Sequence, residues 1–304
     1  MIAIKDISKN YGEVKALKKT NLIVEQGEIF GLLGPDGAGK TTLLRLISTL
    51  LLPDTGTITI NSIDVVKNYT KIRHILGYMP GKFSLYQDLT ILENLEFFAT
   101  IFGTTIEANY DLIKDIYSQI EPFKNRRAGK LSGGMKQKLA LCCALIHKPE
   151  VLILDEPSTG VDPVSRKEFW DILSKLKKLG ITIMVSTPYM DEAMRCDRVG
   201  LMIDGEIIEI DTPSNIVLNF KTSIFAAKAN NMFDLLNDIR NFKDTDTCYT
   251  FGEYLHIILK PNVDYKDIQT WLKSKEYLNL EFNKIEPTIE DCFMHKIEKM
   301  QKNG

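Results

Sequence analysis

The sequence of 304 residues predicts an α/β protein with a parallel sheet, followed by a small α+β domain. Apolar strand-like runs alternate with amphipathic helical runs, and this alternation is typical of a parallel sheet covered by helices. A glycine-rich stretch stands between one such strand and one such helix, which is the setting of a phosphate-binding loop. After about residue 220 the order of elements changes, so we expect domains at 1–220 and 221–304.

The strand and helix signals of the first domain follow in a definite order. Short strand-like runs separated by Gly, Asp and Asn dominate residues 1–60. Apolar spacings of three and four between residues 89 and 120 predict helices. The apolar run VLILD, which ends at Asp155, predicts a buried strand, and the amphipathic run after it predicts a helix that stops at Gly180. The runs ITIMVST and RVGLMIDGEIIEI return to strands.

Residues 221–304 have a pattern of their own. From TSIFAAKAN to TIEDCFMHKIEKM, the runs alternate as strand, helix, two strands, helix, strand and helix. This is the order of a ferredoxin-like α+β fold. The segment carries no motif that indicates a chemistry, so we expect an accessory domain.

The composition indicates which kinds of partner and which cellular compartment to expect. The net charge of −2 and the pI of about 6.2 provide no basic field for nucleic acid. No apolar run approaches the roughly 20 residues that a membrane-spanning helix needs, and the first residues lack the apolar core of a signal peptide. Five cysteines without metal-ligand spacing are typical of reduced thiols in a cytosolic protein.

The stretch GPDGAGKTT matches the P-loop pattern and follows a strand-like run. Glycines let successive backbone N–H groups turn toward one anion, and the following helix adds its positive end. Lys40 is expected to reach the β- and γ-phosphates of ATP, and the Thr41 hydroxyl to bind Mg²⁺. The alternative is a chance match in a glycine-rich turn. The expected ATP-binding residues are Gly34, Pro35, Asp36, Gly37, Ala38, Gly39, Lys40, Thr41 and Thr42.

Two acidic residues end the strand VLILD. Asp155 is expected to hold Mg²⁺, through water, and Glu156 to act as the base for the attacking water. An acidic turn after any buried strand would give the same letters. Beside a P-loop, the catalytic interpretation is favoured.

The stretch LSGGMKQ closely resembles the signature of the ABC-transporter ATPases, and the resemblance covers about residues 1–215. It implies a P-loop NTPase fold of the ABC type: a mixed sheet core, a β-subdomain and a helical subdomain at about 82–148. It also implies that the signature closes over the nucleotide of a partner ATPase domain, so that a dimer holds two composite sites. The signature residues are Leu131, Ser132, Gly133, Gly134 and Met135, of which the serine and glycines form a second anion cradle at a helix N-terminus.

Further positions match the same family. Tyr11 corresponds to the aromatic residue that stacks on adenine, although a buried tyrosine at a strand edge is the alternative. Asp162 corresponds to the loop that crosses between the two sites, with a turn or a helix cap as the alternative. The ending EPTIEDCFMHKI resembles the ATPases of ABC-2 type drug and polymer exporters. That likeness implies export through integral membrane permease subunits, with this chain bound on the cytoplasmic face of the membrane.

The sequence departs from the family at three positions near the phosphates. Gly81 stands where a glutamine usually contacts Mg²⁺ and the attacking water. Pro188 stands where a histidine usually bridges the γ-phosphate, the water and the catalytic glutamate. Asp36 replaces a more usual asparagine and adds a negative charge. A proline has neither a side-chain donor nor a backbone N–H.

These departures predict a site that binds MgATP and hydrolyses it slowly, beside a second and complete ATPase domain. The intact signature would then serve the partner's nucleotide. Two alternatives remain open. In the first, the chain is a regulatory clamp that hydrolyses little ATP. In the second, it is an ABC protein of DNA repair or translation. The second alternative is disfavoured because residues 82–148 contain no long coiled coil and the chain holds one ATPase core.

Overall fold

The computed structural model describes residues 1–261 and 263–303, which form two compact units. The first unit spans Met1–Thr212 and the second begins at Pro213. The sequence predicts the boundary after residue 220, but a short helix at 213–218 belongs to the second unit. The Cys292 thiol, for example, donates to Ile216 O at 3.8 Å.

The first unit holds the strands and helices expected for an α/β protein. Its strands are β1 (Ile2–Tyr11), β2 (Val14–Val24), β3 (Ile29–Leu33), β4 (Thr55–Ile60), β5 (Ile63–Asp64), β6 (Leu76–Met79), β7 (Val151–Asp155), β8 (Thr182–Thr187), β9 (Arg198–Ile203) and β10 (Glu206–Asp211). Its α-helices are α1 (Lys40–Ile47), α2 (Tyr69–Ile75), α3 (Ile91–Ile101), α4 (Tyr110–Tyr117), α5 (Gly133–Leu145), α6 (Pro163–Lys178) and α7 (Met190–Ala193).

Two sheets organise this unit. The larger has the strand order β10-β9-β3-β8-β7-β6, and every neighbouring pair is parallel except β10 with β9. It is therefore the mixed sheet that the family resemblance implies, whereas the alternation of strands and helices indicates only its parallel part. The smaller sheet is antiparallel, with the order β2-β1-β4-β5. The chain thus has a mixed α/β core and a separate β-subdomain.

Burial explains why the central strands are uniformly apolar. Every residue of β3, β7 and β8 is buried, as expected for parallel strands covered on both faces. One continuous core joins both sheets, since it contains Ile4 and Ile58 of the smaller sheet as well as Phe30 and Ile153 of the larger. Truncating a fully buried aliphatic side chain in such a core typically costs about 2–5 kcal/mol. The core therefore fixes the positions of the loops that leave these strands.

Helices α3 to α5 form the segment inserted between β6 and β7. A capping box starts α3: Thr90 Oγ1 accepts from Glu93 N, and the Glu93 carboxylate accepts from Thr90 N. The fully buried Asn94 donates to the carbonyls of Tyr86, Leu89 and Thr90, at 2.8–3.3 Å. These bonds hold the loop before α3 on the helix and satisfy a buried amide.

The second unit has the ferredoxin-like arrangement. Its elements are α8 (Pro213–Leu218), β11 (Ile224–Lys228), α9 (Met232–Asn241), β12 (Thr245–Phe251), β13 (Tyr254–Leu259), α10 (Tyr265–Ser274), β14 (Glu281–Ile285) and α11 (Ile289–Asn303). The sheet is antiparallel in the order β12-β13-β11-β14. This confirms the ferredoxin-like order that the alternation of strands and helices predicts.

A buried carboxylate holds the start of α11 on this sheet. Asp291 is fully buried and accepts hydrogen bonds from Tyr249 Oη, His256 Nδ1 and the backbone N–H and hydroxyl of Thr288, all at 2.6–2.7 Å. Burial raises the pKa of Asp291, but these donors outweigh it and bring the pKa below its usual value.

Within residues 1–261 and 263–303, no helix combines the length and the apolar character needed to cross a bilayer.

Candidate functional site

The strand order brings three loops together at one edge of the larger sheet. Strand β8 lies between β3 and β7, and all three run parallel, with Leu33 beside Thr187 and Asp155 beside Ser186. Their carboxyl ends therefore meet at one edge, which is where ligands bind in open α/β sheets. The glycine-rich loop follows β3, Glu156 follows β7 and Pro188 follows β8.

The glycine-rich loop wraps around the side chain of Lys40. This lysine is 3% exposed, and its Nζ donates to Gly34 O at 2.8 Å and to Pro35 O at 3.0 Å. Gly39 has a φ of 106°, and a Cβ there would lie 2.6 Å from Ala16 O, so another residue would not fit. The loop thus presents one buried cation at the N-terminus of α1, the arrangement that binds phosphate.

A hydrogen-bonded group of oxygens lies beside this cation. Thr41 Oγ1 donates to Asp155 Oδ1 at 3.1 Å, and Ser186 Oγ donates to the same oxygen at 2.7 Å. Ser186 Oγ also accepts from Glu156 N at 3.0 Å. Carboxylate and hydroxyl oxygens are the ligands that Mg²⁺ prefers, so Thr41 and Asp155 fit the metal site that the sequence predicts.

Glu156 lies next to Lys40 and has an unusual backbone conformation. Its Oε1 is 3.5 Å from Lys40 Nζ, and its side chain is 26% exposed. Its φ is 48°, in the left-handed region that non-glycine residues rarely adopt. Such strain persists where the surrounding structure imposes it and is concentrated at functional sites. The structure therefore brings the predicted base to the predicted phosphate-binding cation.

A cavity of about 660 Å³ opens in front of the loop. The Tyr11 ring lines it and is 46% exposed, which argues against a buried strand-edge tyrosine. Asp36 also lines the cavity and is exposed, so its negative charge stands at the predicted nucleotide. Lysine side chains of β2, at positions 15 and 18, contribute positive charge to the same wall. The cavity is thus lined both by an aromatic surface and by the phosphate loop.

The signature segment starts helix α5, and one of its residues lines a separate, smaller cavity. Ser132 is the N-cap, and its Oγ accepts from Met135 N at 3.4 Å. Leu131, before it, is buried. The smaller cavity, about 150 Å³, is lined by Gly133 and also by Glu156. Four of the predicted signature residues therefore form a helix start and its cap near the base, outside the cavity of the phosphate loop.

Gly134 packs tightly against the helix that follows the predicted crossing loop. A Cβ at Gly134 would lie 3.0 Å from Ser165 Oγ, so a side chain there would displace the hydroxyl. Gln137, one turn along α5, donates to Pro157 O. The signature helix is thus hydrogen-bonded to the loop after β7 and lies close against the start of α6.

Asp162 is the N-cap of α6. Its Oδ1 accepts from Ser165 N at 3.0 Å and from Val164 N at 3.1 Å. The bond from Ser165 N contributes most to lowering the pKa of Asp162. The helix cap that the sequence offers as an alternative is therefore present, and it is compatible with a role at a second site.

Of the two substituted positions, Gly81 lies against the acidic pair, and Pro188 follows the neighbouring strand β8. A Cβ at Gly81 would stand 3.0 Å from Asp155 O and 3.8 Å from Glu156 Cβ, so the loop after β6 runs close over the end of β7. Pro188 is half-buried at the bend after β8. Hydrogen bonds of the neighbouring residues hold this bend, since Tyr189 N donates to Thr187 Oγ1 at 3.0 Å. Neither position offers a polar side chain at this edge of the sheet.

Sequence reasoning missed two groups that organise the site. Ser186 links Asp155 to the backbone of Glu156, which is evident only once β8 is known to lie beside β7. Arg166, in helix α6, contacts the segment after Pro188. A single arginine in an amphipathic helix gives no indication of such a contact in the sequence.

Comparison with known proteins agrees with this geometry. Residues 17–159 match the family model described as ABC transporter. The chain is 37% identical over 283 residues to "Probable multidrug ABC transporter ATP-binding protein YbhF" of Escherichia coli (strain K12), a match that covers 92% of this chain and 48% of that protein. It therefore spans about half the length of that relative. It is also 37% identical to "ABC transporter ATP-binding protein NatA" of Bacillus subtilis (strain 168), over 68% of this chain and 88% of that protein.

Solved structures share the fold of the first unit. One is described as "Dimeric Structure of MJ0796, a Bacterial ABC Transporter Cassette"; it aligns with a TM-score of 0.64 and 30% identity. The alignment covers 70% of this chain and 98% of that one. The mixed sheet with its glycine-rich loop is thus the fold of an ABC ATPase cassette.

Proposed function

Because this chain belongs to the family of ABC transporter ATP-binding proteins, we propose that it is an ATPase subunit that couples ATP binding and hydrolysis to export through separate membrane permeases. The observation that carries the proposal is the arrangement of Lys40, Thr41, Asp155 and Glu156 at one sheet edge. A buried cation, two metal-binding oxygens and a general base are the parts that phosphoryl transfer to water requires.

The cavity suits MgATP. The Tyr11 ring offers a stacking surface for the adenine, and the phosphate loop at the N-terminus of α1 would donate its N–H groups to the phosphates. Lys40 would exchange its contact with Glu156 for the β- and γ-phosphates, which would leave the carboxylate available to a water molecule. Mg²⁺ held by Thr41 and Asp155 would supply charge neutralisation at the phosphates.

The second nucleotide site of the proposed dimer would use the signature. Ser132 and Gly134 lie outside the cavity that holds Lys40, so they are available to the nucleotide of another ATPase domain. The similar MJ0796 cassette was solved as a dimer. A heterodimer is favoured over a homodimer because Gly81 and Pro188 weaken only this chain's own site.

An apolar cavity of about 690 Å³ in the first unit supports a permease partner. It lies between the sheet core and the inserted helices, with Tyr78, Phe98 and His147 among its lining residues. The His147 ring stacks on Phe102 at 3.8 Å between centroids, and burial lowers its pKa to about 4. A mainly apolar groove with aromatic walls, although Arg45 and Arg73 also line it, is suited to an apolar helix of a membrane subunit, which would place the chain at the cytoplasmic membrane face.

The second unit is proposed to be an accessory domain that is not needed for nucleotide binding. It has its own apolar core, in which Leu235 and Ile257 are fully buried, and it carries none of the phosphate-site residues. A chain that ends after Thr212 should therefore remain folded and bind MgATP.

The observation at Gly81 and Pro188 also favours a second candidate function. A site without these two polar side chains would hold MgATP for long periods and act as a slow clamp that regulates a complex. Under this alternative, transport by the complex needs ATP binding by this chain but not its Glu156.

The proposal is tested by purifying the chain from its native membrane with whatever binds to it. Co-elution of integral membrane permeases, together with ATP-dependent export after reconstitution, is the expected result. Lys40→Ala should abolish nucleotide binding by this chain and serves as the control. A chain that elutes without any membrane protein, or export that does not depend on ATP, would contradict the proposal.

A further inference from the structure

A charged contact joins helix α6 to the segment that follows Pro188. The guanidinium of Arg166 lies 3.4 Å from Asp191 Oδ2 and 3.8 Å from Glu192 Oε1. Its central carbon is 4.8 Å from the centroid of the Tyr189 ring, within the range of a cation–π contact. One side chain of α6 therefore holds three of the four residues that follow the proline.

Hydrogen bonds connect this contact to the bend at Pro188. Glu192 is 3% exposed, and its Oε2 accepts from Thr187 Oγ1 at 2.6 Å. The same Thr187 hydroxyl accepts from Tyr189 N at 3.0 Å. The residues on both sides of Pro188 are thus fixed by a buried carboxylate, and Arg166 is the cation that compensates it. Removing the partner of a buried charge is strongly unfavourable.

On the side of α6, Arg166 lies close to the loop that ends at Asp162. Arg166 is the fourth residue of α6, and its N–H donates to Asp162 O at 2.9 Å. The Asp162 carboxylate caps the same turn through Ser165 N. Arg166 therefore lies in the first turn of α6, the turn that Asp162 caps.

We propose that Arg166 is a positioning residue that makes the bend at Pro188 and the loop at Asp162 move together. The inference rests on the proposed function, in which the bend adjoins this chain's own nucleotide and the Asp162 loop faces the nucleotide of the partner domain. Through Arg166, nucleotide binding in one site shifts the loop that contributes to the other. The four residues Arg166, Glu192, Thr187 and Tyr189 form the path, and each step is a contact between neighbours.

The chain supplies a matched control for this role. Arg195 NH1 lies 3.1 Å from Asp171 Oδ1, and this pair also connects the segment after Pro188 to α6. Both side chains are about half exposed, at 42% and 54%, and the pair is far along the helix from Asp162. A general loosening of the segment would follow from losing either arginine, whereas coupling to Asp162 should depend on Arg166 alone.

Hydrogen exchange of the full-length chain, with and without MgATP, tests the coupling. In the wild type, MgATP is expected to slow exchange in a peptide covering residues 34–45 and to change exchange in peptides 187–195 and 160–166. In Arg166→Met, the first two responses should remain, and the response of 160–166 should fall about fivefold or more. Arg195→Met should keep all three responses. Arg166→Lys should recover part of the third, because lysine keeps the charge but lacks the planar fork.

Each outcome separates the inference from the proposed function. If MgATP does not protect residues 34–45 of the wild type, the proposed function is wrong and the inference falls with it. If residues 34–45 are protected but 160–166 responds equally in the wild type and Arg166→Met, or does not respond in either, only the inference is overturned.

Measuring kcat and KM separately distinguishes a positioning role of Arg166 from a purely structural one. In the purified complex, Arg166→Met should lower kcat about tenfold while KM for MgATP changes little, because the phosphate loop is untouched. The double variant Arg166→Met/Glu192→Gln should be no slower than the slower single variant, since both residues lie on one path. Additive losses, or a loss confined to KM, would contradict the proposed path.

Discussion

Replacing Pro188 by histidine should raise the ATPase rate of this chain's own site. Pro188 stands half-buried at the bend after β8, beside the edge where Lys40 and Glu156 meet. An imidazole there could hydrogen-bond to both the γ-phosphate and the attacking water, which proline cannot do. The substitution should therefore supply one missing interaction in the transition state.

The size of the gain follows from what the bend requires. Its known hydrogen bonds involve Thr187, Tyr189 and Glu192 and not the side chain of residue 188, so the replacement leaves them in place. One positioned donor at a reaction centre is typically worth about 10²–10³ in kcat. Because Gly81 still lacks a polar group, we expect a gain below this range, about 10–10²-fold. Losing the proline should lower the free energy of unfolding by about 0.4–1 kcal/mol.

The assay is phosphate release by the purified full-length chain at saturating MgATP, with Pro188→Ala as the matched control. Alanine also removes the proline ring but provides no imidazole, so its rate should stay near that of the wild type. An equal increase in rate for the histidine and alanine variants would show that backbone freedom, and not the missing donor, limits turnover. No change in either would refute the assignment of Pro188 to the γ-phosphate.

The remaining predictions concern the other substituted position, the signature and the second unit. Gly81→Gln should not raise turnover, since its Cβ would stand only 3.0 Å from Asp155 O and force the loop away; a rate increase in phosphate release would show that the loop yields easily. In a reconstituted complex, Gly134→Asp should abolish most ATP hydrolysis and Glu156→Gln should leave most of it; equal losses would mean that this chain's own site is catalytic. Asp291→Asn should destabilise the second unit by about 1–3 kcal/mol in chemical unfolding, because buried donors lose a charged acceptor. The depressed pKa of Asp291 means that its stabilisation is present above the unfolded carboxyl pKa, near 4, and is lost as the pH falls further; the variant should lack that part of the acid sensitivity.

Local motifs explain why much of the site is predictable from the sequence. Lys40, Thr41 and Asp155 each lie at a fixed spacing from a strand end, so the chemistry is encoded within a few residues. The same holds for the second unit, whose ferredoxin-like order follows from the alternation of strand and helix periods. The mixed sheet was not predictable from the alternation of strands and helices alone, because the antiparallel pair arises from the hairpin of β9 and β10, which are joined by residues 204–205 and not by a helix.

Contacts between distant elements escape sequence reasoning for a physical reason. Ser186 reaches Asp155 only because β8 lies next to β7, and strand order is decided by packing over the whole core. Arg166 reaches Glu192 from a helix that looks merely amphipathic. The boundary at residue 212 depends on whether α8 packs with α11, and a six-residue helix carries little signal of its partner.

The central claim is that the chain binds MgATP at the Lys40 loop and, alone, turns it over slowly. The most direct test measures both on one preparation of the purified full-length protein: equilibrium binding of MgATP, and phosphate release at saturating MgATP. We predict saturable binding that Lys40→Ala abolishes, with turnover well below the roughly 1–10³ s⁻¹ typical of enzymes. Turnover within that range would contradict the weakened site, and an absence of binding would contradict the nucleotide site itself.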